Sequence, residues 1–288
     1  MNQSRSANPY VSIIMPTYNG ARFLGAALES IRRQDYAYSA LELIVVDDGS
    51  TDETGEILAS FQQSWLGQVA LLNHPGRKNR GISESYRLAI AHAKGDLIAF
   101  LEHDDFWLDN KISEQIKIFE AYPEVGVVFS DVYPCDVHGA ISAYPFRGIV
   151  NRPIADKPFD DAFWRLIWGN FILTFSNFMI RRNLFDVSDI LLEPKGFQEW
   201  MLLLRMAKRC YFFHCSSTKT FWRQNEHSYH RRLGRLPDYK RKRLSIVRQM
   251  MDEDCPTGLL RQPIIRTIYR YAALSRHLIA RNRPIHIF

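Results

Sequence analysis

Cysteine is scarce in this chain of 288 residues: Cys135, Cys210, Cys215 and Cys255 are the four present, and no two form a CxxC pair. That count excludes a disulfide-rich secreted scaffold, offers no zinc-ribbon pattern, and points to a reducing cytosol. No uninterrupted apolar stretch is long enough to span a bilayer. The opening MNQSRSANPY lacks the apolar core of a signal peptide. Internal repeats and low-complexity segments are absent too. Acidic residues are scarce in one region only. Residues 229–288 hold 4 Asp and Glu against 14 Lys and Arg, leaving 27 acidic against 23 basic in residues 1–228. The formal charge of +6 therefore belongs to the tail. Such a tail can meet an anionic membrane surface or nucleic acid, or present a solvated helical face, and charge alone does not choose.

What is present is an ordinary globular composition, 46% hydrophobic and 24% charged, with a length suited to one large α/β domain and an appendage or to two small domains. Aromatic residues are plentiful in the second half, among them Phe159, Phe163, Trp164, Trp168, Phe171, Phe175 and Phe178. Two acidic clusters carry the most information. Asp47-Asp48-Gly49-Ser50-Thr51-Asp52 directly follows the apolar run Leu43–Val46, and Glu102-His103-Asp104-Asp105 directly follows Leu97–Leu101. Apolar runs of this length read as strands of a parallel sheet buried on both faces. Carboxylates at their carboxyl ends lie on the edge where open α/β sheets bind ligands. Like charges gathered there call for a cation or a hydrogen-bond donor, which suggests a nucleotide and a divalent metal.

Along the chain, strand 11–15 ends at Pro16, and helix 22–33 follows the loop Thr17–Gly20. Strand 41–46 leads to the first acidic loop, where Ser50 and Thr51 are N-cap candidates for a helix over 53–62. Strand 69–72, helix 83–94, strand 96–101, a helix near 110–121 and strand 125–131 continue the alternation. This order predicts a mostly parallel sheet covered by helices. Residues 133–160 read as a long loop or a pair of short strands, of the kind that carries function. A strand-like stretch 171–180, a helix 198–208 and a strand at 211–213 complete the second half. Leu260, Ile264, Ile268, Tyr271 and Ile279 stand at near-helical spacing among Arg261, Arg266, Arg270, Arg276 and Arg281. That pattern suits a helix in a membrane interface and one packed on protein equally.

Several ordered motifs resemble family 2 glycosyltransferases of the GT-A fold: Pro16-Thr17-Tyr18-Asn19, Asp47–Asp52, Asn79-Arg80-Gly81-Ile82-Ser83, Ala93-Lys94-Gly95-Asp96, Leu101–Asp105 and Gln198-Glu199-Trp200. The resemblance covers about residues 10–230. It implies an α/β, GT-A type fold with a C-terminal helical extension. The segments are a disordered 1–9, a nucleotide-sugar-binding half at 10–132, an acceptor-binding half at 133–230 and a basic helical tail at 231–288. It implies that Pro16, Thr17 and Tyr18 lie along the nucleotide base, that Asp48, beside Asp47, accepts a hydrogen bond from a uracil-type imide, and that Asn79, Gly81, Glu102 and His103 complete nucleotide binding. A carboxylate suits the imide because it only accepts hydrogen bonds and charge strengthens them.

Glu102–Asp105 takes the place of the family's aspartate-rich metal element. Asp104 is the main expected ligand for Mn2+ or Mg2+, with Glu102 near the ribose or the metal and His227 a further candidate in a segment where Asn225 stands at the family's His position. Hard cations of this kind prefer oxygen and stabilise a departing diphosphate as Lewis acids. Arg223 is the expected diphosphate contact. Glu199 matches the family's general base, which takes the acceptor hydroxyl's proton during inverting attack. Glu102 and Gln198 each replace an aspartate or glutamate of the pattern.

The function implied is metal-dependent, inverting transfer of a hexosyl or N-acetylhexosaminyl group. The donor is a nucleotide-sugar, by expectation a UDP-sugar, and the acceptor a hydroxyl of a surface polysaccharide, glycan or lipid-linked molecule. The setting is cytoplasmic, with peripheral contact at the inner membrane face through 231–288 compatible with the tail, and an oligomer compatible too. A nucleotidyltransferase would need a Gly-rich basic loop after the first strand, which Thr17–Gly20 is not. A non-catalytic nucleotide-sugar or glycan binder on the same scaffold is the competing reading. No nucleic-acid-binding module is recognisable, so no nucleic acid partner is expected.

Overall fold

In a computed structural model of the chain, residues 10–143, 145, 154–190, 192, 194, 196–224 and 238–252 are described. The first half alternates β1 (Val11–Thr17), α1 (Ala21–Arg32), β2 (Leu41–Asp47), α2 (Thr54–Ser64), β3 (Gln68–Asn73), α3 (Ile82–His92) and β4 (Leu97–Phe100). The two-residue β5 (Phe106–Trp107), α4 (Lys111–Ala121) and the long β6 (Val125–Cys135) follow. Then come α5 (Ala162–Trp168), β7 (Phe178–Arg181), α6 (Gln198–Met206), β8 (Tyr211–Arg223) and α7 (Tyr239–Asp252).

The eight strands make one sheet in the order β3-β2-β1-β4-β7-β6-β8-β5. β1 pairs in parallel with β2 and β4, and β2 with β3, so these strands point their carboxyl ends the same way. β7 is antiparallel to both β4 and β6. The apolar runs explain the core. Val11, Ile13 and Met15 of β1 pack on one face, Ile14 on the other, and all are fully buried, as both faces of a helix-covered parallel sheet require. Each such side chain contributes about 1.5–3 kcal/mol on leaving water.

The second half departs from the sequence expectation in three places. The stretch 171–180 is not one strand. Phe175–Asn177 form a 3-10 turn, and strand structure starts only at Phe178. The Thr174 hydroxyl accepts from Ser176 N–H at 3.2 Å, which bends the chain before the strand begins. β6 runs on to Cys135, into the expected loop, because β8 pairs with it as far as Arg223. An unforeseen helix, α5, uses the aromatic cluster, with Phe163 and Leu166 buried against the sheet. The chain's return at Ile154 is fixed by His214, whose Nδ1 and Nε2 lie 3.1 Å from Ile154 O and 2.9 Å from Asp131 Oδ1.

Ser50 and Thr51 have a different task from helix capping. Ser50 and Thr51 do not cap α2, whose N-cap is Glu53 without a side-chain bond. Instead Asn19 N–H donates to Ser50 Oγ and Thr51 N–H to Asn19 Oδ1, each at 2.9 Å. Gly20 N–H donates to Thr54 Oγ1 at 2.9 Å and Ala21 N–H to Asp52 Oδ2 at 3.1 Å. The loops after β1 and β2 are thus stitched into one wall. Gly49 lets the loop after β3 join it: its φ is +84°, and a Cβ there would lie 2.5 Å from Arg77 O. Gly49→Ala is therefore expected to lower stability by about 1–3 kcal/mol in urea unfolding, through strain plus the clash. An unchanged midpoint would show that the loops are not stitched in this way.

Candidate active site

Because β1, β2 and β4 run parallel, the ends of all three meet at one edge of the sheet, and the two acidic loops emerge side by side. Asp47 accepts from Ser50 N–H at 2.9 Å, closing the turn. Asp48 is buried. Its Oδ1 accepts from Arg80 N–H at 2.6 Å and its Oδ2 from Gly81 N–H at 2.8 Å. His74 Nε2 lies 3.6 Å from the same Oδ1. One carboxylate therefore orders the loop after β3, and Gly81 meets it at φ +90°. Pro16 and Thr17 are buried at the end of β1, while Tyr18 and Asn79 are exposed beside them. His103 packs its ring over Gly20, where an added Cβ would come within 2.7 Å of His103 Cδ2.

The second cluster is drawn inward by the loop that precedes β7. The Thr174 hydroxyl lies 2.7 Å from Glu102 Oε2 and 3.0 Å from Asp105 Oδ2. Glu102 N–H donates to Ser176 Oγ at 3.0 Å. Asp105, 1% exposed, also accepts from Arg223 N–H at 3.0 Å. Burial, with the Asp104 charge added, pushes the Glu102 carboxyl up to about 8. Burial and the neighbouring Asp104 and Glu102 charges raise Asp105 well above the usual carboxylate range. Tyr86, fully buried on α3, is raised by burial and by Glu102, Glu199 and Asp105.

Glu199 stands in the first turn of α6, 7% exposed, where the helix dipole favours an anion. Asn170 Nδ2 donates to its Oε1 at 3.1 Å, and Asn170 Oδ1 is itself fixed by Ile172 N–H at 3.2 Å. Burial lifts the Glu199 carboxyl to about 8, with Asp105 adding to the rise and Asn170 opposing it. Gln198, at the position of the family's other acid, turns back instead. Its Oε1 accepts from Gly196 N–H at 2.6 Å and its Nε2 donates to Leu192 O at 3.3 Å, holding the loop that leads to Glu199.

Arg223 is buried and occupied. Its Nε donates to Asp104 O at 2.9 Å and its Nη1 to Asp136 O at 3.0 Å, with the guanidinium 4.8 Å from the Phe23 ring centroid and 5.4 Å from that of Phe106. It meets the acidic loop through the backbone. His227, Asn225 and most of the tail lie outside the described residues.

Among the described residues no three His, Cys, Asp or Glu side chains form a ready metal cage. The donor set nonetheless fits a hard cation. Mg2+ and Mn2+ are held by one or two carboxylates while substrate phosphate and water complete the shell. Glu102 and Asp104 offer hard carboxyl oxygens, and a cation beside them would favour the ionised form of the raised Glu102 and Asp105 carboxyls.

Residues 12–188 match the model of glycosyl transferase family 2. The chain belongs to this family. Among curated members, it is 38% identical over 108 residues to the Escherichia coli UDP-Glc:alpha-D-GlcNAc-diphosphoundecaprenol beta-1,3-glucosyltransferase WfgD, covering 38% of this chain and 40% of that one. It is 30% identical over 138 residues to the putative glycosyltransferase EpsE of Bacillus subtilis, covering 48% of each. The chain thus spans less than half the length of these curated relatives. In fold it is similar to S. aureus TarS 1–349, solved with UDP-GlcNAc, at TM-score 0.64 and 17% identity over 85% of this chain and 67% of that one. It is also similar to the mannosyltransferase PcManGT of Pyrobaculum calidifontis, solved with GDP-Man and Mn2+, at TM-score 0.62 and 17% identity over 97% and 77%. These neighbours identify the GT-A fold.

Glu199, Asp48 and the second cluster carry a motif in the sequence, whereas their neighbours Asn170, Thr174 and Tyr86 were not singled out there. Asn170 and Thr174 are isolated polar residues among aromatics and carry no local pattern. Tyr86 sits at ordinary helical spacing on α3. Asp105 stood in the motif without a separate role.

The raised carboxyl of Glu199 has a thermodynamic consequence. Between the ordinary glutamate value of 4.5 and about 8, the folded chain holds a proton that the unfolded chain has lost, so the group's contribution to stability falls as pH rises through that window. Glu199→Gln is expected to raise the melting temperature at pH 7–8 and to have little effect near pH 4.5, the gain being on the order of a few kcal/mol. A variant equally or less stable at pH 8 would mean that Glu199 is ionised in the folded state.

Proposed function

We propose that this family 2 member is a metal-dependent, inverting glycosyltransferase that uses a UDP-sugar to glycosylate a hydroxyl of a glycan or lipid-linked acceptor. The observation that carries the reading is the convergence at one sheet edge of the Asp48 loop, the Glu102–Asp105 loop and a buried Glu199 held by Asn170. The base would lie against Pro16, Thr17 and Tyr18, with Asp48 accepting from the imide while its other lone pairs hold Arg80 and Gly81. Asp47, Asn79, Gly81, Glu102 and His103 line the same stretch of edge. Asp104, with Glu102 beside it, would hold Mn2+ or Mg2+, which would supply Lewis-acid stabilisation of the diphosphate. Arg223 serves the diphosphate through the loop it holds at the Asp104 carbonyl.

Glu199 is the general base. Its carboxylate takes the proton from the acceptor hydroxyl as that oxygen attacks the anomeric carbon. The bond to the diphosphate oxygen breaks on the opposite face, and the configuration inverts. A carboxyl raised toward neutral pH matches a base to this task. A uridine nucleotide is supported by the UDP-GlcNAc bound to TarS and the UDP-Glc named as the donor of WfgD, and a lipid-linked diphosphate acceptor by the GlcNAc-diphosphoundecaprenol named for WfgD. Such an acceptor would place the enzyme at the inner membrane face, with hexosyl or N-acetylhexosaminyl transfer into surface polysaccharide.

A thermal-shift panel of UDP-, GDP-, dTDP- and CMP-sugars with and without Mn2+ tests the reading. UDP-sugars with Mn2+ are expected to give the largest shift, and Asp104→Ala to remove its metal-dependent part. Stabilisation by none of the donors would overturn the proposal. Glu199→Gln should keep the shift and lose turnover by about 10²–10⁴-fold. Binding without turnover for every donor in the native chain would favour a non-catalytic binder.

Asn170→Ala should move the acidic limb of the kcat–pH profile upward by about one unit, since a hydrogen bond that lowers the Glu199 pKa is lost. An unmoved profile would remove Asn170 from the mechanism.

A further inference from the structure

Helix α7 opens with Tyr239 followed by four consecutive cations, Lys240, Arg241, Lys242 and Arg243, and no acid stands in its first turn. Cations at a helix N-terminus face the positive end of the dipole and repel one another. Two of them are spent on the protein. Arg243 donates to Ile167 O at 3.1 Å and lies over the Trp200 ring, and Lys242 Nζ is 3.2 Å from Asp238 Oδ2. Lys240, Arg241 and Arg248 are exposed and have no ion pair among the described residues. Residues 240, 244 and 248 repeat every four positions, with 241 about 100° away, so these side chains share one stripe. Leu244, 46% exposed, lies in the middle of it.

The opposite face is committed to the domain: Ile246 and Met250 are buried in the same cluster as Leu203 and Ala207 of the α6 region. Tyr239 stacks on Phe197, with centroids 5.3 Å apart, two residues before Glu199. The cationic end of α7 is therefore held at the Glu199 end of α6.

We propose that this exposed stripe docks on an anionic lipid surface, Lys240, Arg241 and Arg248 meeting lipid phosphates and Leu244 entering the acyl boundary. Basic helical segments near a bilayer are attracted in this way. An exposed leucine at the centre of the stripe suits a lipid boundary. Single-stranded nucleic acid would call for an aromatic stacking platform, and the stripe offers none. The proposal rests on the reading of Glu199 as the general base only for its consequence, which is that docking brings a lipid-linked hydroxyl to the catalytic end of α6.

The test is sedimentation of the full chain, without nucleotide, with vesicles of phosphatidylcholine alone or mixed with phosphatidylglycerol. Binding is expected only to the anionic vesicles and should weaken with salt. The variant K240Q/R241Q/R248Q should lower that partition by about 100-fold, from roughly fivefold per cation. Its melting temperature should stay native because all three side chains are exposed. Leu244→Ser should cause a smaller loss that salt does not screen.

Native chain left in the supernatant with both vesicle types would overturn the proposal. So would a triple variant that binds as the native chain does, or a loss reproduced only by neutralising Arg261, Arg266, Arg270, Arg276 and Arg281. Binding of single-stranded nucleic acid in place of vesicles, lost in the triple variant, would also overturn it by assigning the stripe to another partner. Since no sugar nucleotide is present, these outcomes are independent of the donor assay.

Discussion

The carboxyl group of Asp105 joins the two halves of the molecule. It stands in the loop after β4, and it is met by the Arg223 amide at the end of β8 and by the Thr174 hydroxyl before β7. A buried carboxyl without such partners would cost several kcal/mol. The loop before β7 and the end of β8 are therefore obliged to come to it. The reversed direction of β7 is part of the same arrangement. Only a strand antiparallel to β4 starts at the edge where β4 ends, and that start is where Thr174 and Ser176 are delivered.

The second consequence is electrostatic. Asp105 and Glu199 are buried and Glu102 half-buried, close enough to raise one another's protonation, with the Asp104 charge adding to the rise at Glu102 and Asp105. This edge therefore holds protons at pH values where isolated carboxyl groups have lost theirs. Hydrogen bonds oppose the rise at each carboxyl, from Thr174 at Glu102, from Ser176 and the Arg223 amide at Asp105, and from Asn170 at Glu199. Gln198 contributes by neutrality: it ties down the approach to Glu199 without adding another charge to a crowded edge.

Much of this was legible in the sequence, and the reasons are physical. β1, β2 and β4 are buried on both faces, so their apolar runs are continuous and the acids that end them stand out. The role of Ser50 and Thr51 was misread because a hydroxyl before a helix looks like a cap, and nothing local reveals that Asn19 competes for it across two loops. The stretch 171–180 has the composition of a strand, yet the Thr174 side chain turns it. Asn170 acts over 29 positions on Glu199, and Thr174 over 72 on Glu102. Interactions of that range leave no periodic trace. The long pairing of β8 with β6 was invisible for the same reason.

The sheet order also decides how this protein behaves at high concentration. On one side the last strand among the described residues is β5, two residues long, too short to template an incoming strand. On the other side, among the described residues, β3 closes the sheet beside β2, with the Gln62 amide donating to its Val69 carbonyl at 3.2 Å. Among the described residues, the border of Gln68–Asn73, on the far side of β2 from β1 and β4, is a full-length edge strand of the kind through which open sheets self-associate.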